Sequence, residues 1–425
     1  MAAMIAGRVL NMMAIGFVVS FVTQMALMIY FSHEDEVDYS DNRLFWTVLI
    51  YSIMLGTVFM FISYYYEGDS FVLCKMDAFW YYKHSMKAAN LGLVKGIAYL
   101  CDFAPYDDWG SLILDAIVMS IYPDKLLLNL VYMVLGAYTS LYLFRIGKHY
   151  MPEAYAFLAA LGFGTSSFMV FFHCSFLKES AFVFLVVGTF YYIYLFMTKQ
   201  SRIAIVYVVV FLVAQLYFRP AVAAMIAASI MIYYAITQKK NAISVFLYAI
   251  SAGIFVAALA DMQKILESNT QGGDVDALVE ETNNAAYSGS FNYFVSLFGA
   301  VFGPFPSAFP KVPESPTWVE YYGAGLTYRL FLVFAFWNGI YMVFKKRVIE
   351  LYPIVFFLLF ELVITGLICA SLELRKVILH IPFVYFLAFY GFSIRKEEPQ
   401  TMMVTTLAKC SIIIGILFLW NVIRV

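Results

Sequence analysis

Charge is what this sequence has least of: Asp, Glu, Lys and Arg together make up 13% of its 425 residues, about half the share of an ordinary soluble domain. With 63% of the chain apolar, a soluble fold would have to leave a large part of that surface in water, which excludes the soluble classes. An excess of either sign is also missing. There are 27 basic and 28 acidic residues, a net charge of −1, so no polybasic footprint points to nucleic acid. The five cysteines (Cys74, Cys101, Cys174, Cys369 and Cys410) form no CxxC pair and no metal-ligand spacing, which removes zinc-ribbon and dithiol redox readings. A Cys74–Cys101 disulfide is permitted if both residues lie in one non-cytoplasmic loop. Fixed-period repeats, low-complexity tracts and a separable soluble domain are absent as well.

What is present is a succession of long apolar runs. They fall near residues 9–31, 45–65, 125–146, 152–172, 178–197, 203–218, 220–237, 243–260, 326–344, 349–371, 377–393 and 403–423. Most have about the 20 residues that carry an α-helix across the roughly 30 Å of bilayer hydrocarbon. The expected fold is therefore an all-α polytopic membrane protein, one transmembrane domain over residues 1–425 with about twelve spans. The first run is read as a retained span, since it is too long for a signal-peptide core and lacks a small-residue cleavage pattern. Basic residues collect at every second loop: Arg145 with Lys148, Lys199 with Arg202, Lys239 with Lys240, Lys345 to Arg347, and Arg395 with Lys396. The positive-inside rule puts these loops in the cytoplasm. Loops 66–124 and 261–325 then form the outer face. The short run SLILDAIVMSIY at 111–122 suits a re-entrant or interfacial helix better than a span.

The outer segments hold the residues that could do chemistry. Loop 66–124 opens with EGDSFVLCKMDAFWYYKHSMKAANLG, in which Asp77, Tyr81 and His84 share one helical face at i, i+4 and i+7. A carboxylate near the headgroups is partly desolvated, which raises its pKa and suits it to take a proton from a hydroxyl. The same spacing also fits an amphipathic surface helix with a wet polar side. Asp107 and Asp108, beside Trp109, are a candidate site for a divalent cation such as Mg or Mn, or simply an acidic turn. Lys178 and Glu179 open a span. The helix N-terminus favours Glu179 and not Lys178, so Lys178 either faces an anion such as phosphate or snorkels to headgroups. Arg219, and Arg375 with Lys376 and His380, are outer-side cations that run against the positive-inside rule, and arginine suits phosphate through its planar fork. Glu361, in the middle of FFLLFELVITG, must face the bundle and find a partner, because a charge at mid-bilayer costs roughly 2.5–3.5 kcal/mol. The stretch FGAVFGPFPSAFPKVPESPTWVEYY has the composition of a rigid lid or of a well-packed loop.

The order of these features resembles a known family. A span, GD followed by DAFWYYKHSMKAA, DWG with a short apolar helix, NLVYMVLGAYTSLYLFRIG, FGTSSFMVFFHCSFLKES opening a span, GPFP, and ELRKVILHIPFVYFLAFYGF together are similar to bacterial membrane glycosyltransferases of the C-type (GT-C) fold. These are relatives of the protein and dolichyl-phosphate-mannose mannosyltransferases. The similarity covers roughly residues 45–395. It implies a polyprenyl-phosphate-linked sugar donor held in the bacterial cytoplasmic membrane, and a glycan or lipid acceptor on the outer face. It also implies Asp77 as catalytic base with Asp69 as the alternative, a basic and acidic pair at Lys178 and Glu179, and a late basic residue at Arg375. The chain departs from the pattern by an extra span before the usual first one.

Two further readings stay open. Polymerases of O-antigen or exopolysaccharide repeat units also combine many spans with outer-loop arginines. A lipid-linked oligosaccharide flippase or other transporter would suit twelve spans, although transporters usually carry internal repeats and broken helices. A non-catalytic assembly protein fits least well, given the acids and bases gathered on the outer loops. The partners expected are the donor, the acceptor and membrane lipids, with the oligomeric state left open, and the charge balance gives no footprint for nucleic acid.

Overall fold

The computed structural model describes residues 19–20, 22–32, 39–67, 77–199, 201–237, 242–271, 332–367, 378–394 and 412. Among them every regular element is a helix. In chain order these are α1 (Val22–Ser32), α2 (Asp41–Glu67), α3 (Asp77–Asn90), α4 (Leu93–Phe103), a 3₁₀ turn (Tyr106–Asp108), α5 (Trp109–Ile121), α6 (Lys125–Tyr150), α7 (Glu153–Gly164), α8 (Ser167–Cys174) and α9 (Glu179–Lys199). They continue with α10 (Arg202–Leu216), α11 (Pro220–Thr237) and α12 (Ala242–Gln271). The last are α13 (Leu332–Lys345), a 3₁₀ turn (Ile349–Leu351), α14 (Tyr352–Leu367) and α15 (Ile381–Ile394).

Four of the described helices are long and apolar enough to cross a membrane: α2 over Asp41–Phe61, α6, α9 and α11. The pair α7 and α8, bent by 46°, makes a fifth if it is one span. Shorter apolar helices are α1, α10, Val245–Ala260 within α12, α13 and α15. The protein is thus an all-α protein built on membrane-spanning helices. The expected spans at 45–65, 125–146, 178–197 and 220–237 coincide with α2, α6, α9 and α11; the expected span at 403–423 lies, apart from residue 412, outside the described residues.

Lipid explains why a helix can be apolar all round. On α2, Trp46, Ile50, Met54 and Phe61 are 53–69% exposed while Leu44, Val48, Leu55 and Phe59 on the opposite side are buried. Both stripes follow helical spacing, and the outward one is sheltered from water only by hydrocarbon. The inner stripe packs on α6, which also contacts α5, α7, α8, α9 and α15 and so occupies the centre of the bundle. The deepest part of the core is a single stretch of chain, since every residue from Leu161 to Val183 is buried.

Local signals place the helix ends. Asp124 caps α6, its carboxylate accepting from the Leu126 amide at 2.6 Å, an interaction worth about 1 kcal/mol. Pro220 opens α11, where its missing N–H costs nothing. The bend between α7 and α8 falls at Thr165 and Ser166, where the Thr165 hydroxyl bonds back to the Leu161 carbonyl at 2.7 Å, a competition with the helix ladder that bends helices. α13 and α15 meet backbone to backbone: a Cβ at Gly339 would overlap the Leu387 carbonyl, so only a residue without a side chain permits this crossing.

Three short helices stand apart from the spans. α3 packs on α4 and α5, α4 packs on α5, and α5 touches α6. This layer is the segment 77–121, which the sequence places on the outer face, and α5 is the short helix expected near 111–122.

Candidate functional site

The site begins with a lysine in an unusual place. α8 ends at Cys174 and α9 begins at Glu179, and the connecting Ser175, Phe176, Leu177 and Lys178 are all buried. The chain turns there through Phe176 at φ 55°, a left-handed conformation that costs a non-glycine residue about 1–2 kcal/mol. The turn delivers the Lys178 side chain, 7% exposed, to the acidic 3₁₀ turn ahead of α5. Its Nζ lies 2.5 Å from Asp108 Oδ1 and 3.2 Å from the Asp107 carbonyl. Tyr81 on α3 donates its hydroxyl to the same Asp108 Oδ1 at 2.5 Å. One carboxylate oxygen therefore joins three segments that are far apart in sequence.

The acidic turn is held rigidly. The Trp109 indole donates to the Ala104 carbonyl at 2.9 Å, and the Gly110 amide to the Tyr217 carbonyl at 2.9 Å. Gly110 lies so close under the Phe218 ring that a Cβ would overlap it. This contact ties the α10–α11 turn, and with it Arg219, to the acidic turn. Arg219 sits over the Phe182 ring at 5.9 Å, and Phe182 is one helical turn beyond Lys178, its amide bonded to the Lys178 carbonyl. Tyr106, Trp109 and Tyr217 form an aromatic group on the same turn, with centroids 5.1–6.3 Å apart.

A second carboxylate lies deeper. Asp115 on α5 is 1% exposed and accepts the Tyr132 hydroxyl at 2.5 Å. Its other oxygen has no hydrogen-bond partner among the described residues. Burial pushes its acid up to about 7, against the opposing effect of the Tyr132 hydrogen bond. Asp115 follows Asp108 along α5, so the deeper carboxylate sits two turns beyond the acidic turn. Neither Asp115 nor Tyr132 stood out in the sequence as a site residue. The signal was a lone carboxylate inside SLILDAIVMSIY, the same kind of signal that singled out Glu361.

The residues named from sequence divide clearly. Tyr81, Asp108 and Lys178 come together, Asp107 joins through its main-chain carbonyl, Glu179 follows Lys178 at the start of α9, and Arg219 is adjacent. Asp77 opens α3, one turn before Tyr81. His84 does not join them: its Nδ1 lies 2.7 Å from the Tyr99 hydroxyl and its ring stacks on Phe103 at 4.2 Å, so it belongs to the α3–α4 contact. Desolvation, aided by Lys83 and Lys87, lowers its pKa. His380 is buried and pairs with Glu361 at 2.6 Å, which supplies the partner that a mid-span carboxylate requires. Asp69, Arg375 and Lys376 lie outside the described residues, as does Cys74. Cys101 is a free thiol.

A divalent cation at the acidic pair would meet the Lys178 ammonium. Asp108 Oδ1 already receives an ammonium and a phenol, so a metal there would have to displace a like charge. Among the described residues no group of three His, Cys, Asp or Glu side chains is placed to hold a metal ion.

No protein-family model matches this chain, and no curated protein matches it in sequence.

Proposed function

We propose that the chain is an integral membrane glycosyltransferase that transfers a sugar from a polyprenyl-phosphate-linked donor to a cell-envelope glycan or lipid acceptor. In this reading it has about twelve spans in a bacterial cytoplasmic membrane and works at its outer face. The observation that carries the proposal is the convergence of Lys178 and Tyr81 on one carboxylate oxygen of Asp108, beside Arg219 and an aromatic group. Those groups suit the reaction. Lys178 and Arg219 stabilise the phosphate as it leaves, the aromatic group offers faces to a sugar ring, and a carboxylate takes the acceptor's proton. The acceptor oxygen bonds to the anomeric carbon, the carbon–phosphate oxygen bond breaks, and its electron pair stays on the phosphate. Asp77, one turn before Tyr81, is the proposed base, with Asp69 as its alternative. Asp108 holds Lys178 until the phosphate competes for it. A repeat-unit polymerase would use the same groups on the same class of substrate.

A carrier of lipid-linked saccharide is the second reading. Two observations favour it: the broken α7–α8 pair and the buried Glu361–His380 pair, both familiar in transport pathways. Proteoliposomes loaded with a radiolabelled polyprenyl-phosphate sugar and a lipid-linked acceptor separate the two. Transfer by the wild-type chain that is lost in Asp77→Asn and Lys178→Met, with donor still bound by Asp77→Asn, supports the transferase. Labelled lipid moving to the opposite leaflet without any transfer supports the carrier and sinks the enzyme.

A further inference from the structure

The opposite end of the same helices carries a second polar site. α9 runs from Glu179 beside the acidic turn to Lys199, about 30 Å away at 1.5 Å per residue. There a cavity of about 410 Å³ opens between the start of α2 and the ends of α6 and α9, lined by Asp41, Arg145, Lys148, His149, Tyr191 and Lys199 among others. Three permanent cations thus face one carboxylate. Asp41 is already shared, accepting from Arg145 Nε at 2.7 Å and from Lys148 Nζ at 3.4 Å, while an exposed Glu153 lies 3.6 Å from Lys148 outside the lining. The Asp41 contact is through Nε, which holds the guanidinium at the wall of the cavity beside Tyr191. Lys199 and Lys148 are exposed and bring their charge to the rim.

Helix C-termini attract cations on their own, and that alone would explain one lysine on each helix. It does not explain a cavity with tyrosine walls and a braced arginine. Nor does it explain what continues from the rim: α10 begins three residues after Lys199 and presents Ile203, Val206 and Val210 outward, 53–69% exposed. A charged cavity followed by a lipid-facing apolar strip matches a molecule with an anionic head and an acyl tail.

We infer that this cavity binds a phosphate group, presented by the headgroup of an anionic membrane lipid. Arg145 supplies fixed donors and Lys148 and Lys199 close over the charge. The inference is independent of the sugar-transfer reading, since it concerns the other end of the bundle.

The test uses the full chain in nanodiscs of phosphatidylcholine containing phosphatidylglycerol, with retained lipid counted by native mass spectrometry after detergent extraction. The wild type should keep phosphatidylglycerol selectively. The Lys148→Gln/Lys199→Gln variant should lose about twenty-fivefold in retention, about fivefold for each interfacial cation removed, and Lys148→Arg/Lys199→Arg should keep it. Thermal unfolding of each variant guards against a loss caused by misfolding. A parallel arm titrates inorganic phosphate: competition at millimolar phosphate assigns recognition to the phosphate itself, and none assigns it to the tethered headgroup. Equal phosphatidylglycerol retention by wild type and the glutamine variant, with both folded, overturns the inference and leaves these cations as partners of helix C-termini.

Discussion

Lys178 shows how a single side chain can be read two ways from sequence and answered in a third. Facing an anion and snorkelling to headgroups were the alternatives, and in the structure its ammonium is met by a carboxylate of its own chain. Removing one partner of such a pair leaves the other desolvated and unpaired, which costs about 3–5 kcal/mol when both are deeply buried. Asp108 keeps 17% exposure, so Asp108→Asn is expected at the low end, about 3 kcal/mol, seen as a lower melting temperature in detergent. The double variant Asp108→Asn/Lys178→Met should melt above Asp108→Asn alone, because no stranded ammonium remains. Additive losses would mean the pair carries no coupling.

Asp115 makes a pH prediction. Its folded-state acid is raised to about 7 by burial, above the ordinary carboxylate value of about 3.9. Between those values the folded chain binds a proton that the unfolded chain has lost. Its contribution to stability is therefore complete below about pH 4 and falls away as pH rises through about 7. Thermal melts of the detergent-solubilised protein from pH 5 to 8 should show this decline, and Asp115→Asn should flatten it. A wild-type profile unchanged by the substitution would show that Asp115 does not hold the proton.

At the scale of elements, helix ends explain features that periodicity does not. α13 closes with the Val348 amide bonded to the Val343 carbonyl and the Arg347 amide to the Phe344 carbonyl, the paired bonds that end a helix through a left-handed residue. That residue is Arg347, at φ 54°, where glycine is the usual choice. Arg347→Gly should stabilise the protein by about 1 kcal/mol, read as a rise in melting temperature, provided the exposed arginine makes no compensating contact. The span expected at 152–172 is a similar case. Its length and apolarity were readable, and its 46° bend follows from the Thr165 hydroxyl back-bonding to the Leu161 carbonyl inside a helix, a choice that only packing settles.

At the scale of the molecule, distant elements are joined by polar contacts that no local pattern reports. The Glu361–His380 pair links α14 to the turn ahead of α15. Glu361→Leu and His380→Leu should each destabilise the solubilised protein by about 3 kcal/mol, and the double variant by less than their sum. A double-mutant cycle of melting temperatures measures the coupling, and additivity would deny it.

The sequence by itself determined that this is an all-α membrane protein, because scarce charge and 20-residue apolar runs leave a chain no other solvent. It also located several helices to within a few residues and marked Glu361 as a group in need of a partner. Tertiary structure decided which polar residues meet. Tyr81 and His84 share a stretch of helix, yet one reaches Asp108 and the other turns to Tyr99, since their azimuths differ by 60° and the neighbours on either side differ. Lys178 reaches Asp108 across 70 residues, and Asp115 finds Tyr132 on another helix. Periodicity fixes the direction of a side chain around its own axis, whereas a partner is chosen by the packing of one axis against the next.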